Sequence, residues 1–375
     1  MKMKVVVAID SLKGSLTSME AGMAIKAGIL AAKPDAEVIV KPLADGGEGT
    51  TDALIEGLNG ERIDVTVTGP LDDPVSCYYG YLKETNTAII EMASAAGITL
   101  TNKKDPLHAT TYGVGEMIND AINKGCRNFI IGIGGSATND GGIGMLKALG
   151  FEFLDENGHD AGEGGQALKK VKCILTQNKN SLLDECHFQV ACDVTNPLCG
   201  KNGATYIYGP QKGVTDDIKE NLDQAMAQYA NVTAKYLGCD YSNAAGAGAA
   251  GGLGFALLSY LNASLTPGID LILNAVELEK ELKDADVAVT GEGRLDHQTA
   301  MGKAPIGVAK LAKKYNAKVI AFAGSVTPEA TACNQAGIDA FFPIVRGITT
   351  LEEAMNPECA KTNMRAAAEQ VFRLL

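Results

Sequence analysis

Five short stretches concentrate the groups that can do chemistry: "AIDSLKGSLTS" from Ala8, "PLADGGEGT" from Pro42, "GIGGSATNDGG" from Gly132, "CDVTNPL" from Cys192 and "TGEGRLD" from Thr290. The first sets Asp10, Ser11, Lys13 and Ser15 in a glycine-containing loop just before a helix, where a lysine can neutralise a carboxylate or a phosphate. The second adds Asp45 and Glu48, and the last adds Glu292, Arg294 and Asp296. In the third, Gly134, Gly135, Gly141 and Gly142 relax the backbone, and Ser136, Thr138 and Asn139 offer side-chain partners. A helix starting at Ile143 would turn its free N–H groups toward that turn, which is how helix starts attract anions. The fourth stretch sets Asp193 at the end of an apolar strand beside Thr195 and Asn196. A carboxylate there can hold Mg²⁺, accept a hydroxyl proton, or close an Asx turn.

Several familiar chemistries are excluded. A Walker A loop is absent, because "GKAP" at Gly302 lacks the hydroxyl residue and "GPQKGV" at Gly209 has the wrong order. The lone GxGxxG, at Gly246, Gly248 and Gly251, follows "YSNAA" and not a strand, so it reads as chance in Gly/Ala-rich sequence. Protein-kinase signatures are missing. His108, His159, His187 and His297 show no metal spacing, and Cys192 and Cys199 lack a patterned histidine for thiol catalysis. A net charge of −12 with no basic run argues against nucleic acid or an anionic membrane as partner, leaving small molecules. Nine cysteines without a CxxC pair or a signal peptide read as reduced thiols of a cytoplasmic protein. The uncharged run from Tyr241 to Ile269 is broken by glycines and Pro267, and reads as a buried helix, not a membrane span.

The elements that must position these groups alternate. A strand at Lys4–Ile9 leads to a helix from Ser18 to Ala32, opened by a Thr17/Glu20 capping box, with Met19, Met23, Ala27 and Leu30 at helical spacing. A strand at Glu37–Lys41 follows. The same grammar returns near the other end, where "DVAVT" runs into "GEGRLD" as a loop, and "KVIAFAG" and "DAFFPIV" each precede a helix. Five such runs predict one parallel sheet assembled from both termini. In between, "RIDVTVTG", "VSCYYGYLKE" and "TAIIEMA" read as meander strands, "HFQVACDV" as a further strand, and "DDIKENLDQAMAQYANVTAKYL" as an amphipathic helix. The expected class is therefore α/β. A Rossmann- or flavodoxin-like parallel-sheet domain spans 1–60 and 266–375, and a second α/β domain, 61–265, is inserted into it. Ligand is expected beyond the strand carboxyl ends, in a cleft between the two.

In this order the five motifs resemble the bacterial glycerate kinase family, the one that includes the glycerate 2-kinases of glyoxylate and sugar-diacid pathways, and the resemblance covers essentially the whole chain. It implies ATP-dependent phosphorylation of D-glycerate with Mg²⁺, with 2-phosphoglycerate favoured as product over 3-phosphoglycerate. On that basis Gly134, Gly135, Ser136, Thr138 and Asn139 are assigned to the nucleotide phosphates. Lys13 and Arg294 are assigned to the glycerate carboxylate or the γ-phosphate, and Asp193 acts as base or metal ligand. Ser11, Asp45, Glu48 and Asp296 bind substrate or the metal's water shell. Two other readings stay open on the residues alone. An organic-acid sensor would need only the cleft, and a nicotinamide-dependent hydroxyacid oxidoreductase would need a strand–GxGxxG–helix unit. The residues do not specify an oligomeric state.

Overall fold

The run Lys4–Ile9 is buried from Val5 onward, the continuous apolar pattern of a strand covered on both faces. The structure, a computed structural model, describes residues 2–375. Its strands, in chain order, begin with β1 (Lys4–Ile9), β2 (Glu37–Pro42), β3 (Glu61–Thr68), β4 (Pro74–Leu82), β5 (Thr87–Glu91), β6 (Asn128–Gly132) and β7 (Glu152–Leu154). They continue with β8 (Cys173–Leu175), β9 (His187–Ala191), β10 (Ser264–Thr266), β11 (Val287–Leu295), β12 (Lys318–Val326) and β13 (Ala340–Pro343). The chain divides into two units, one of residues 2–45, Asp52–Asn59 and Ile269–Leu375, the other of Gly46–Thr51 and Gly60–Gly268.

The first unit carries a sheet of order β13-β12-β11-β1-β2 in which every pairing is parallel. Counted within this unit the order is 2-1-3-4-5, the flavodoxin arrangement, whose switch point falls between β1 and β11. One expectation is corrected here: "GEGRL" is not a loop. Strand β11 runs on to Leu295, with Arg294 opposite Ser325 and Leu295 opposite Val326. Its glycines serve a close backbone approach, since a Cβ on Gly291 (φ 151°) would lie 1.8 Å from the Phe322 carbonyl oxygen.

The second unit holds a six-stranded sheet, β10-β9-β6-β5-β4-β3. The β3–β4–β5 meander is antiparallel, as expected, and β5 then pairs parallel with β6, β6 with β9 and β9 with β10. The short pair β7–β8 stands apart. The uncharged stretch folds into the buried helix Leu253–Leu261, and no helix of the described residues is long and apolar enough to cross a membrane.

The helix Ser18–Ala32 starts with the expected capping box: Thr17 Oγ1 accepts from the Glu20 N–H, and Glu20 accepts from the Thr17 N–H. Its buried face is not the methionine stripe. Met23 is half exposed, and the inward residues include Ala21, Gly22, Ile25, Gly28 and Ile29. The glycines win that face because the neighbours come too close for a side chain. A Cβ on Gly22 would meet Val40 Cγ1 at 2.5 Å, and one on Gly28 would meet the Arg365 carbonyl oxygen, in the helix Pro357–Phe372, at 2.2 Å. A Gly28→Ala substitution gains about 1 kcal/mol in helix propensity but forces two backbones apart, an overpacking cost of about 1–3 kcal/mol. Urea denaturation is expected to show net destabilisation of G28A, with Met23→Ala within about 0.5 kcal/mol of wild type.

Candidate functional site

Beyond the carboxyl ends of β1, β2 and β11 the first unit opens a cavity of about 550 Å³. Asp10 is the first residue past β1, and its N–H still donates to the Gly291 carbonyl (2.9 Å), so the turn begins fastened to β11. The loop then closes on itself: the Leu12 N–H donates to the Leu16 carbonyl (2.9 Å) and the Leu16 N–H to that of Leu12 (3.0 Å). Buried Leu12 and Leu16 anchor it, which leaves Lys13 exposed at its tip. Gly293 lies against this loop, where its Cβ would stand 3.6 Å from Leu12 Cα. Ser11, Lys13, Asp45, Arg294 and Asp296, all expected at the site, line this one cavity. Asp10, Glu292 and Lys303 join them, and Ile344, Leu351 and Met355 supply an apolar wall.

The charged groups form a connected set. Thr299 Oγ1 accepts from the Asp296 N–H (3.1 Å) and donates to Glu292 Oε1 (2.5 Å). Asp296 Oδ1 accepts from the Thr299 N–H (3.2 Å), capping the helical turn His297–Ala300. Lys303 Nζ lies 3.7 Å from Glu292 and 3.9 Å from Asp296, and Arg294 Nε lies 4.0 Å from Asp296. Asp10 Oδ1 accepts from the Ser11 N–H (2.7 Å). Burial, reinforced by neighbouring Asp45 and Glu292, pushes the Asp10 carboxyl up to about 7 against the pull of the Ser11 N–H and Lys13. Burial also raises Glu292, against Thr299 and Lys303. For Asp296 burial acts upward too, but the Thr299 N–H and Lys303 outweigh it and hold the carboxyl low.

The remaining expected residues lie in the second unit. Gly134 and Gly135 follow β6 with exposed backbone, Gly135 at φ 72°. Ser136, Thr138 and Asn139 turn inward and are buried. Lys212 Nζ donates to Ser136 Oγ (2.6 Å) and to the Thr138 carbonyl (2.7 Å), and Asn139 Nδ2 donates to Thr205 Oγ1 (3.0 Å). The helix Ile143–Ala148 does not offer its start to a ligand, as the sequence suggested, because buried Asp140 already occupies it. Asp140 accepts from the Gly142 and Gly144 N–H groups (3.1 and 3.3 Å) and from the N–H and Oγ1 of Thr111 (2.8 and 2.7 Å). Burial raises the Asp140 carboxyl, opposed by those donors. Burial likewise lowers the Lys212 ammonium to about 7, with Asp140 acting the other way. Asp193 is exposed just past β9, with Oδ1 accepting from the Gly268 N–H (2.9 Å). Glu48 is exposed between Gly46 and Gly49, both at positive φ.

Asp10 and Glu292 were named in their motifs but given no role, and three further residues, Lys303, Asp140 and Lys212, were not named as site members. Lys303 was set aside with the failed Walker match, although a lysine followed by Ala304 and Pro305 marks a helix start. Asp140 and Lys212 carried no spacing signal, since what joins them is burial in the folded unit. Among the described residues no three His, Cys, Asp or Glu side chains are grouped to hold a metal ion.

A flavodoxin-ordered parallel sheet with a charged cavity at its switch point, joined to a second α/β unit, defines an α/β protein with a place for a small polar ligand beyond its strand ends. Residues 5–375 match the glycerate kinase family, and the chain belongs to that family. It is 49% identical over 354 residues to a glycerate kinase of Bacillus subtilis (strain 168), covering 94% of this chain and 93% of that one. It is 46% identical to a glycerate 2-kinase of Escherichia coli (strain K12), again over 94% and 93% of the two chains. A crystal structure described as that of a glycerate kinase 2 from Salmonella typhimurium LT2 superposes with a TM-score of 0.92 at 45% identity, covering 100% of this chain and 98% of the other.

Lys212 makes the fold of the glycine turn pH-sensitive. Lys212→Met leaves two buried acceptors without a donor, and a loss of about 1–3 kcal/mol is expected. An unfolded lysine keeps its proton to about 10.4, whereas the folded one releases it near 7. The unfolded chain therefore binds more protons between those values, and wild type should gain stability relative to K212M as pH rises from 7 to 9. Urea midpoints for both proteins at the two pH values check it; a pH-independent difference would mean that Lys212 does not change protonation across that range.

Proposed function

We propose that this protein transfers the γ-phosphoryl group of ATP to D-glycerate, forming 2-phosphoglycerate, as a cytoplasmic enzyme of glyoxylate or sugar-diacid metabolism. The observation that carries the reading is the switch-point cavity, where Ser11, Lys13, Asp45, Arg294 and Asp296 converge in a member of the glycerate kinase family. Phosphoryl transfer passes through a loose transition state with charge on the equatorial oxygens, so positioning and neutralisation do most of the work. Lys13 and Arg294 meet the glycerate carboxylate or the incoming γ-phosphoryl oxygens, and Ser11, Asp45 and Asp296 orient the hydroxyls. The cavity is larger than a three-carbon acid needs, which leaves room for the transferring group beside it. Transfer to O2 is favoured by the likeness to the E. coli relative bearing that name.

In the second unit the exposed Gly134 and Gly135 take nucleotide phosphate, while the buried residues after them are fastened to the protein, Ser136 and the Thr138 carbonyl by Lys212 and Asn139 by Thr205. Mg²⁺ bound with ATP would neutralise phosphate charge and would need only one or two protein carboxylates. Asp193 and Glu48 are exposed oxygen donors of the right kind for it or its waters. The nine free thiols suit a reducing compartment. A binding protein without turnover leaves the family likeness and the glycine turn unexplained, and an oxidoreductase lacks its dinucleotide fingerprint.

³¹P NMR of the protein with MgATP and D-glycerate is expected to show ADP and 2-phosphoglycerate appearing together; no glycerate-dependent ADP from folded protein would refute the reading. Lys13→Ala and Arg294→Ala should each raise KM for glycerate by about 10- to 100-fold, the worth of a hydrogen bond to a charged group. Gly134 has open space where a Cβ would go, so Gly134→Asp should fold normally and raise KM for ATP by charge repulsion. An Asp193→Asn variant with near-full kcat would remove Asp193 from the scheme.

A further inference from the structure

We propose that Asp10 is the catalytic residue that accepts the proton of the glycerate hydroxyl, in place of Asp193. The inference rests on the glycerate kinase reading above and names the base within it. Its ground is position: Asp10 is the first residue beyond β1 at the switch point, and it lines the cavity together with Lys13 and Arg294. An acceptor hydroxyl whose carboxylate is held by those cations lies within the same small space. Asp10 is 7% exposed, and Oδ1 takes the Ser11 N–H, which fixes the group's orientation. Asp193, by contrast, is solvent-exposed and does not line this cavity.

Two of the other three carboxylates of the cavity are placed differently. Glu292 accepts from the Thr299 hydroxyl and faces Lys303, and Asp296 accepts from the Thr299 N–H and lies near both Lys303 and Arg294, so both are paired with cations, whereas Asp10 has carboxylate neighbours in Asp45 and Glu292. The charged groups on the cavity are Lys13 on the loop of Asp10, Asp45 beyond β2, Glu292 and Arg294 on β11, Asp296 just past it, and Lys303 at the start of the helix Ala304–Lys313. The segments from β12 and from Leu351–Met355 that line it contribute Gly324, Ser325, Leu351, Ala354 and Met355, none ionisable. Burial raises the proton affinity of Asp10, Asp45 and Glu292 add to it, and the Ser11 N–H and Lys13 oppose it, leaving it near neutrality, where a general base works best.

The step balances simply. The hydroxyl oxygen attacks the γ-phosphorus as its proton passes to the Asp10 carboxylate. The bond from that phosphorus to the bridging oxygen breaks with its electron pair left on ADP, and Asp10 returns the proton to solvent after product leaves.

The test is the pH dependence of kcat/KM for D-glycerate, which reports groups of the enzyme before glycerate binds, for wild type, Asp10→Asn and Asp193→Asn at saturating MgATP. Wild type should show an acid limb near pH 7. Asp10→Asn should lose about 100-fold or more in kcat, keep KM for glycerate within a few-fold, and show no limb between pH 6 and 8, while D193N keeps the limb. An Asp10→Asn enzyme within about threefold of wild-type kcat, or a weakened one that keeps the limb, overturns the proposal. Should D10N fail to fold, Asp45→Asn decides: removing the carboxylate that acts most strongly on Asp10 should move the limb to lower pH, and an unmoved limb overturns the assignment. Wild type that turns over no glycerate at any pH refutes the kinase reading instead, so the two failures are distinguishable.

Discussion

The pairing of β1 with β11 is the contact on which the cavity depends. Val5, Val6 and Val7 lie beside Val287, Ala288 and Val289, although the two strands are some 280 residues apart in the chain. The join is tied at its start by the Lys4 N–H donating to Asp286 Oδ2 (2.8 Å) and the Asp286 N–H donating to the Lys4 carbonyl (2.9 Å). Closing so long a loop costs entropy that grows only logarithmically with length, so a few fully buried valines can outweigh it. Because β1 and β11 are where the strand order reverses, the segments leaving them diverge and a crevice remains. Asp10, just past β1, and Glu292, on the neighbouring β11, both line it.

The second unit solves a different problem, that of holding a glycine-rich turn in one shape. Glycines make the backbone permissive, and permissiveness carries an entropy cost that something must offset. Here the offset is polar and buried: Lys212 reaches two acceptors on the turn, and Asp140 takes four donors around the helix start. An internal carboxylate in that place removes the most obvious anion site, a bare helix start, and shifts attention to the exposed amides before it. The motif thus mixes outward and inward positions, and residue type alone does not separate them.

Much of the fold was legible because strands covered on both faces and capped helices announce themselves locally. Lys4–Ile9 and Ser18–Ala32 fall where the residues place them, down to the Thr17 and Glu20 cap. What failed was glycine. Gly22 and Gly28 make the tight face of the first helix while Met23 points outward, and Gly291 sits inside a strand that its neighbours suggested had ended. In each case the signal is the distance to a partner far along the chain, which no local pattern contains. The cavity residues divide in the same way. Ser11, Lys13, Asp45, Arg294 and Asp296 were found because polar loops at strand ends point to one sheet edge, whereas Lys303 enters from a helix start that resembled only a broken motif.

The carboxylates at that edge show how one cavity can give chemically similar groups different tasks. Asp296 is held low by the Thr299 N–H and Lys303 despite its burial, so it stays an anion and an acceptor. Glu292 is raised by burial yet remains tied to Thr299 and Lys303. Asp10 has one backbone donor, two carboxylate neighbours and little solvent, and is left nearest to sharing a proton at neutral pH. Environments that push similar acids apart are what acid–base assignments are made from. The groups that hold Asp296 and Glu292, Thr299 and Lys303, follow β11 in the chain, whereas Asp10 leaves β1 with the Ser11 N–H as its hydrogen-bond donor and with Asp45 and Glu292 as like-charged neighbours.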